Sequence, residues 1–542
     1  MRAPLLFIIL IAFVLRIYQL DTHISAAYGD EVAIAYNAYS ILQTDRDEFG
    51  VWFPLQFESW GDQKNPVYIY LVSVFQIFFG MNLWSVRLPS VLAGVLAVYL
   101  TYLTSYKLFH LTNLTKYAIP VGLVSAALLC INPWHLHISR GGYEANLALT
   151  LGLLVLNYFL DFLQHGRLHL RQYFAICLFS ILGIYTYYTT KMFLPLFLLL
   201  LIVWGYILVR SQTKFLRIRY FRNTFNLLIT VFVFSLPFIF LALFYNGQSR
   251  FNSINIFSHP DVSNRVIEER SFWRGPNWLG ELVTNKATIW ARDLQYYFFD
   301  NLNPVYLYSQ GDSTLRYTIG NHGVFYPIEF PFLLLGLAAL FSHHKKLWLL
   351  LIAWWLIAIL PTSLVGKAYS LRSLAVLPVP LIFTSFGIVW LYYYLHQHLS
   401  RISARLFAGS FCLLFAVYIS YFALRYAYAY PTYAYYWYDG MIKDMLDHAK
   451  SREHEFDQIY ITRHYGKTEL YYAFYRQVSP AQYQSLSQST EPTQIGKYVF
   501  TDTNTQRDFK GSTLILAAPN SSEGTAFLAQ DDGRILFRIV EK

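Results

Sequence analysis

Residues 66–86 read PVYIYLVSVFQIFFGMNLWSV. The stretch is uncharged, and its 21 residues suffice, as a helix, to cross the about 30 Å of bilayer hydrocarbon. Its reading decides the fold, because one extra crossing inverts every segment after it. Pro66 opens the run, which is ordinary at a helix start, and Lys64 just before it reads equally well as a snorkelling side chain.

The Lys/Arg distribution arbitrates. Apolar runs of spanning length lie near 3–20, 87–106, 117–135, 145–163, 172–188, 192–209, 224–245, 322–342, 347–364, 373–395 and 406–424. If 66–86 does not cross, thirteen short-loop cations, among them Lys107, Arg167, Arg210, Lys345 and Arg401, share the side of the N-terminus. Only five, Arg87, Arg140, Lys191, Lys367 and Arg372, lie opposite. Cytoplasmic loops carry such an excess. The bias predicts a polytopic α-helical membrane protein of eleven spans with its N-terminus inside, and 66–86 as a juxtamembrane or re-entrant helix. The first run is broken only by Arg16 and lacks a small-residue cleavage site, so it reads as an uncleaved anchor.

Composition agrees. Of 542 residues, 55% are apolar and 14% charged, against about 25% charged in soluble domains. Aromatics reach 19%. These values exclude a disordered chain, a fibrous repeat and an ordinary soluble enzyme. Cys130, Cys177 and Cys412 all lie in apolar runs, which speaks against a disulfide framework or zinc site. The formal charge of +10 marks the cytoplasmic side rather than a nucleic-acid partner.

Three segments fall outside. They are the loop 21–65, extended to 86 by the juxtamembrane run; the loop 246–321; and a tail from 426. The tail carries DQIYI, TELYYAFY, KYVF, TLILAA and RILFRIV, the pattern of a small α/β domain of short strands with at least one helix. The expected division is therefore a membrane domain 1–425 and an extracytoplasmic α/β domain 426–542. No internal repeat or inverted half is present.

Candidate chemistry sits in the outer segments. Asp30-Glu31 opens an amphipathic stretch, EVAIAYNAYSILQ, that should lie along the membrane surface. The bland alternative is a charge pair in the first turn of a helix. Asn132 to Glu144, NPWHLHISRGGYE, links two spans. Its His135 and His137 share no helix face and lack partner ligands, so they make a poor metal site. The five outer cations run against the topology rule. Several on one face suggest an anionic ligand at headgroup level, phosphate above all. Walker A, HExxH, GxSxG and GxGxxG patterns are absent.

These pieces, in this order, resemble the GT-C membrane glycosyltransferases, most of all the protein O-mannosyltransferase and aminoarabinose-transferase superfamily (glycosyltransferase family 39-like). The family's acidic pair after the first span is matched by Asp30-Glu31. Its Lys/His-Pro-Pro-Leu element is matched loosely by Lys64-Asn65-Pro66-Val67. Arg87-Leu88-Pro89-Ser90 matches an Arg-Leu-Pro-Ser span entry, and Asn132-Pro133 with Ser139-Arg140 matches an Asn/Ser-Pro and Ser-Arg stretch. Gly183 with Lys191, and Arg372 with Pro378 and Pro380, complete the series. The likeness covers about the first 400 residues. Asn65 departs from the family's first Pro. The family's acid after Ser-Arg falls on Ala145 here, so Glu144 is only a candidate site acid.

The resemblance implies a polyprenyl-phosphate-sugar donor held between spans and an extracytoplasmic acceptor, whether protein, lipid or glycan, with inverting transfer expected. Asp30 would be the catalytic base and Glu31 would hold acceptor or sugar. Lys64, Arg140, Lys191 and Arg372 would stabilise charge on the departing phosphate. No metal is required; a divalent ion through Asp30 and Glu144 is the alternative. The loop 246–321 and the tail would cover the site. The expected location is a prokaryotic plasma (inner) membrane with the site outside. The rival class, a lipid-linked-sugar flippase or other transporter, predicts charges deep in several central spans; a receptor or scaffold requires Asp30 and Glu31 to face lipid.

Overall fold

The structure is a computed structural model describing residues 2–210, 213–244, 255–258, 261–487, 493–501, 511–521, 526–529 and 534–542. The start of the expected 246–321 loop and parts of the tail lie outside the described residues. Contacts divide the chain into two compact units. The first comprises Met1–Tyr18 and Ser90–Tyr426, the second Gln19–Pro89 and Ala427–Lys542.

The first unit is helical. Among the described residues, seven helices are long and apolar enough to cross a membrane, including Leu83–Leu111, Glu144–His165 and Thr190–Val209. Shorter apolar helices cover Ala3–Ile17, Thr115–Ile131, Leu170–Ile184 and Glu329–His343. Each run expected to span thus holds an apolar helix, and the protein is a multi-pass membrane protein. Phe225, Phe232, Phe240, Leu413 and Val417 are exposed on their helices, as lipid-facing side chains would be.

Polar pairs and small residues join the helices, the devices available where lipid removes the hydrophobic drive. Asn146 Nδ2 donates to Ser90 O at 2.7 Å and Ser90 Oγ at 3.1 Å. Three turns on, Asn157 Nδ2 donates to Thr104 Oγ1 at 2.9 Å and Leu100 O at 3.2 Å. Helices Glu329–His343 and Pro378–His398 meet backbone to backbone. A Cβ on Gly336 would lie 1.9 Å from Phe383 O, and one on Gly387 would lie 2.1 Å from Phe332 O.

The second unit pairs the first outer loop with the tail. In the tail, β4 (Thr493–Ile495), β5 (Tyr498–Thr501), β3 (Gln458–Thr462), β6 (Thr513–Ala517), β8 (Ile535–Glu541) and β7 (Ala526–Ala529) lie side by side in that order. β5, β3 and β6 are parallel and the outer pairings antiparallel. Tyr460, Val499, Ile515 and Ala517 form the core on one face. Four of the expected segments are strands, while TELYYAFY forms helix Thr468–Arg476, with Leu470, Tyr471, Ala473 and Phe474 buried at helical spacing.

The first outer loop contributes helix Gly29–Thr44 and a hairpin of β1 (Phe57–Ser59) and β2 (Asp62–Lys64). Hydrogen bonds tie this segment to the tail. Tyr475 OH meets Ala27 N at 3.1 Å, and Tyr36 OH donates to Val478 O at 3.0 Å. Gln484 Nε2 reaches Ser40 Oγ, Thr44 Oγ1 and Asp47 O. The compact units therefore depart from a cut at residue 426: residues 19–89 group with the tail.

Within 66–86, helix Pro66–Phe79 ends at Gly80 with φ 70°, and residues 83–86 already belong to the next helix, Leu83–Leu111. The 14 residues of Pro66–Phe79 rise about 21 Å, close to the 15-residue apolar helices Leu170–Ile184 and Glu329–His343. Helix Pro66–Phe79 belongs to the second unit, where Gln76 Nε2 donates to Ala35 O at 2.9 Å on helix Gly29–Thr44.

The close helix pair gives a prediction. Gly336→Ala should cost about 1–3 kcal/mol through overpacking, read as a lower melting temperature in detergent. An unchanged melt would show that the two backbones do not touch.

Candidate active site

In the second unit, Asp30 and Glu31 occupy the first turn of helix Gly29–Thr44. Tyr28 at the N-cap contributes no side-chain bond. The turn is met by Asp439 instead, whose Oδ2 accepts from Gly29 N at 3.1 Å and from Tyr471 OH at 2.5 Å. Negative charge is favourable there, where first-turn N–H groups point outward.

The two acids have opposite surroundings. Glu31 is fully buried and forms a two-point pair with Arg87, Nε to Oε1 at 2.8 Å and Nη2 to Oε2 at 2.9 Å. Arg87 Nη1 also donates to Leu20 O at 3.0 Å and Ile24 O at 2.7 Å, and Nη2 to Ala26 O at 2.9 Å. Glu31 and Arg87 therefore hold the chain entering the helix. Asp30 retains 38% of its side-chain exposure and accepts from Lys64 Nζ at 2.5 Å, while Lys64 is only 8% exposed. A buried ammonium thus holds a partly exposed carboxylate.

Lys64 is delivered by the hairpin. Trp60 and Gly61 make its two-residue turn with φ of 58° and 68°, the left-handed pair that a tight hairpin requires. A tryptophan is unfavourable there, and its ring explains the choice. The ring packs edge-on to Tyr471 at 5.8 Å and occupies the space beside Gly466, where a Cβ would lie 2.5 Å from it.

In the first unit, Arg140 donates to main-chain carbonyls and to a tyrosine hydroxyl. Nη1 donates to Leu15 O at 2.7 Å and Arg16 O at 3.4 Å, and Nε to Tyr426 OH at 3.1 Å. The carbonyls belong to the last turn of helix Arg2–Ile17, where a cation is favourable. Arg16 does the same for helix Thr115–Ile131, donating to Cys130 O at 3.1 Å and Leu129 O at 3.4 Å. His135 Nδ1 lies 2.9 Å from Arg16 Nη2, and His137 Nε2 lies 2.8 Å from Arg316 O. The two histidines have different partners, and no cluster of three or more His, Cys, Asp or Glu occurs among the described residues.

Lys191 and Arg372 are held by aromatic faces. Lys191 Nζ lies 3.7 Å from the Phe238 ring centroid and 4.1 Å from that of Tyr188. The Arg372 guanidinium lies 4.5 Å from the Tyr369 centroid, and among the described residues no side-chain hydrogen bond or ion pair engages it. Its loop is pinned nearby: Asp312 Oδ2 accepts from Ser370 N at 2.7 Å and Oγ at 2.9 Å, and Trp134 Nε1 donates to Ser370 O at 3.1 Å. Lys367 is exposed. Glu144, half-buried, starts helix Glu144–His165.

The structure thus brings together Asp30 with Lys64 and Glu31 with Arg87. Sequence reasoning missed Asp439, Trp60 and Glu48. Glu48 is buried, and burial pushes its carboxyl up to about 7. The available signal was a second acidic pair, Asp47-Glu48, at the far end of the same amphipathic stretch.

Residues 63–242, about a third of the chain, match the model of the dolichyl-phosphate-mannose-protein mannosyltransferase family. No curated protein matches the sequence. Among solved structures, the chain is similar to ArnT from Cupriavidus metallidurans bound to undecaprenyl phosphate, with a TM-score of 0.53 at 12% identity, covering 99% of this chain and 97% of that one. The apo form of the same protein gives 0.52 at 13% identity with the same coverage. Archaeal oligosaccharyltransferase AglB from Archaeoglobus fulgidus, in complex with an inhibitory peptide and a dolichol-phosphate, gives 0.47 at 14% identity, over 85% of this chain and 62% of that one. The likeness to ArnT spans nearly all of both chains, and the fold is GT-C.

Removing one member of the buried pair should be severe. Arg87→Ala leaves Glu31 charged and uncompensated, a cost of about 3–5 kcal/mol. Limited proteolysis should then cut within residues 19–28, whose carbonyls Arg87 holds. Protection equal to the wild type would show that the pair does not organise this segment.

Proposed function

We propose that the chain is a membrane glycosyltransferase that moves a sugar from a polyprenyl-phosphate donor to an extracytoplasmic acceptor. The observation that carries this reading is the Asp30–Lys64 pair, a half-exposed carboxylate on a buried ammonium at a helix N-terminus. The GT-C fold and the match of residues 63–242 to the mannosyltransferase family support it, as does the undecaprenyl phosphate of the solved ArnT complex. The location that suits such a donor is a plasma (inner) membrane with the reaction on its outer face.

In this reading Asp30 accepts the proton of the acceptor hydroxyl as the acceptor oxygen attacks the anomeric carbon. The bond between that carbon and the phosphate oxygen breaks, and the polyprenyl phosphate leaves with the electron pair. A single displacement of this kind inverts the anomeric centre. Lys64 keeps Asp30 in place. Glu31 acts as a positioning residue through Arg87. Arg372 and Lys191 are the cations assigned to the phosphate. Arg140, whose donors serve helix Arg2–Ile17, supports them by fixing the link between two spans. Glu144 remains the candidate site acid. The acceptor is a protein, lipid or glycan hydroxyl.

The test uses membranes containing the full-length protein and labelled polyprenyl-phosphate sugars. Asp30→Asn should lower transfer about 10²–10⁴-fold with expression retained. Arg372→Ala should weaken binding of the polyprenyl phosphate. Full transfer by Asp30→Asn would overturn the base assignment, and no transfer by the wild type from any such donor would overturn the enzyme reading.

A further inference from the structure

Residues 261–300 belong to the first unit, but their helices are too charged to cross a membrane. Val262–Ser271 carries Arg265, Glu268, Glu269 and Arg270, and Lys286–Asp300 carries Lys286, Arg292, Asp293 and Asp300. The two helices are fastened to each other. Val262, Val266 and Ile289 share a small core, with Trp290 packed on it. Arg265 grips Asp293 at two points, Nη1 to Oδ2 and Nη2 to Oδ1, both at 2.7 Å, and Arg292 pairs with Glu269. Two attachments fix this pair on the bundle. Ile256 N donates to Leu364 O at 3.0 Å, and the adjacent Phe257 ring packs edge-on to Trp290 at 5.4 Å. Asp300 Oδ2 accepts from Ala368 N at 2.8 Å. Leu364 and Ala368 lie just past Lys345–Ser363, a helix long and apolar enough to span. Helix Lys286–Asp300 is thus tied, at points about three turns apart, to the chain leaving that span. It lies across the end of the span, at the level of the headgroups.

The tip between the two helices, residues 271–285, is folded onto itself. Arg270 Nε donates to Thr284 O at 2.7 Å, closing its base. Trp273 Nε1 donates to Pro276 O at 3.1 Å, and a Cβ on Gly280 would lie 2.9 Å from the Trp273 ring. With Trp273 folded back, Phe272, Trp278, Leu282 and Val283 stay outside, between 53% and 75% exposed. Trp278 and Leu282 share one face of the short helix Asn277–Val283. Basic groups flank them. Arg274 and Lys286 are exposed, and among the described residues no ion pair engages either. Lys286 even stands in the first turn of its helix, where a cation is unfavourable. Glu281 is the one acid between residues 270 and 286. Large apolar side chains displayed on a closed loop mark a contact surface. Aromatic and aliphatic groups rimmed by cations, beside the end of a span, suit the anionic interface of a bilayer.

We propose that the loop 271–285 is a membrane anchor: Phe272, Trp278, Leu282 and Val283 enter the lipid beside helix Lys345–Ser363, while Arg274 and Lys286 meet the phosphates of anionic lipids. The occupant of this surface is the bilayer that the bundle itself crosses. Exposed apolar residues continue from the tip toward the bundle. Tyr296 and Phe299 are exposed on the helix tied to the span, and Leu349 and Leu356 on the span itself, against which that helix packs. A bilayer covers all of them at once. Anchoring needs neither sugar donor nor acceptor, so it stands apart from the transfer reaction proposed above.

The deciding experiment places nitroxide labels on the full-length protein in proteoliposomes of phosphatidylethanolamine and phosphatidylglycerol. Cys412, the exposed cysteine, is first removed by Cys412→Ser; Cys130 and Cys177 are buried. Labels then go on Trp278→Cys and Leu282→Cys, two exposed positions whose replacement leaves the fold intact. Lys450→Cys, an exposed polar position of the tail, is the reference. Collisions with oxygen, which concentrates in lipid, and with a nickel chelate, which stays in water, are read by electron paramagnetic resonance. Both tip labels should meet oxygen more than the chelate and lie about 5–10 Å into the boundary of headgroups and acyl chains. The label on Lys450→Cys should show the reverse. Replacing phosphatidylglycerol by phosphatidylcholine should make the tip labels shallower, and Arg274→Glu with Lys286→Glu should remove that difference. Tip labels that meet the chelate as freely as the reference show a loop in water and overturn the proposal. Tip labels that meet neither reagent show a surface covered by protein, whether a second copy or this chain, and overturn it too. A depth that ignores phosphatidylglycerol overturns the assignment of Arg274 and Lys286.

Discussion

A guanidinium carries five N–H donors, and Arg87 spends all of them on one task. Two go to Glu31, and three to the carbonyls of Leu20, Ile24 and Ala26. An ion pair removed from water is stabilising only when its remaining hydrogen-bonding capacity is also met. Here it is met by the chain that enters helix Gly29–Thr44. The direction of that helix, and with it the position of Asp30, is therefore set by a residue 57 positions along the chain from Asp30. The acidic pair divides its partners: the second acid is held by Arg87 and the first by Lys64.

The same economy governs the first unit. A helix that ends inside a membrane protein leaves carbonyls that lipid cannot satisfy. Arg16 serves the end of Thr115–Ile131 and Arg140 the end of Arg2–Ile17. Arg16 also explains its own survival in an apolar run, since its charge faces carbonyls and His135 rather than lipid. Two cations out of place in the apolar sequence, Arg16 and Arg140, thus meet the ends of helices. Arg372 differs, being held by the Tyr369 ring face rather than by carbonyls.

Much of this was legible in the sequence, for stated physical reasons. Hydropathy runs mark helices because a membrane demands uninterrupted apolar length, and every expected run holds one. The ordered motifs singled out Asp30 and Lys64, but assigned Lys64 to the phosphate; their ion pair is seen only in the fold. The grouping of residues 19–89 with the tail was not legible, because it rests on single long-range bonds such as Ala27 N to Tyr475 OH. No local pattern announces such bonds. The ion-pair partner of Glu31 and the carbonyl partners of Arg140 lie far away in sequence, so no local pattern shows them. The tail helix over TELYYAFY has aromatic and β-prone residues throughout, and only its buried face at helical spacing separates it from a strand.

Trp60 shows how a local exception can serve the site. A two-residue hairpin turn with both φ positive favours Asn and Gly, and a bulky ring there is costly. The cost is offset because the ring fills the space beside Gly466 and packs on Tyr471, whose hydroxyl meets the Asp439 carboxylate at the start of helix Gly29–Thr44. The turn that aims Lys64 is thereby locked to the group that receives the helix bearing Asp30. Lysine and aspartate come from separate elements, yet one aromatic contact ties both elements to the same residues of the tail. A hairpin of two three-residue strands is too short to hold its shape alone. The misplaced tryptophan is what makes it a rigid mount for the ammonium.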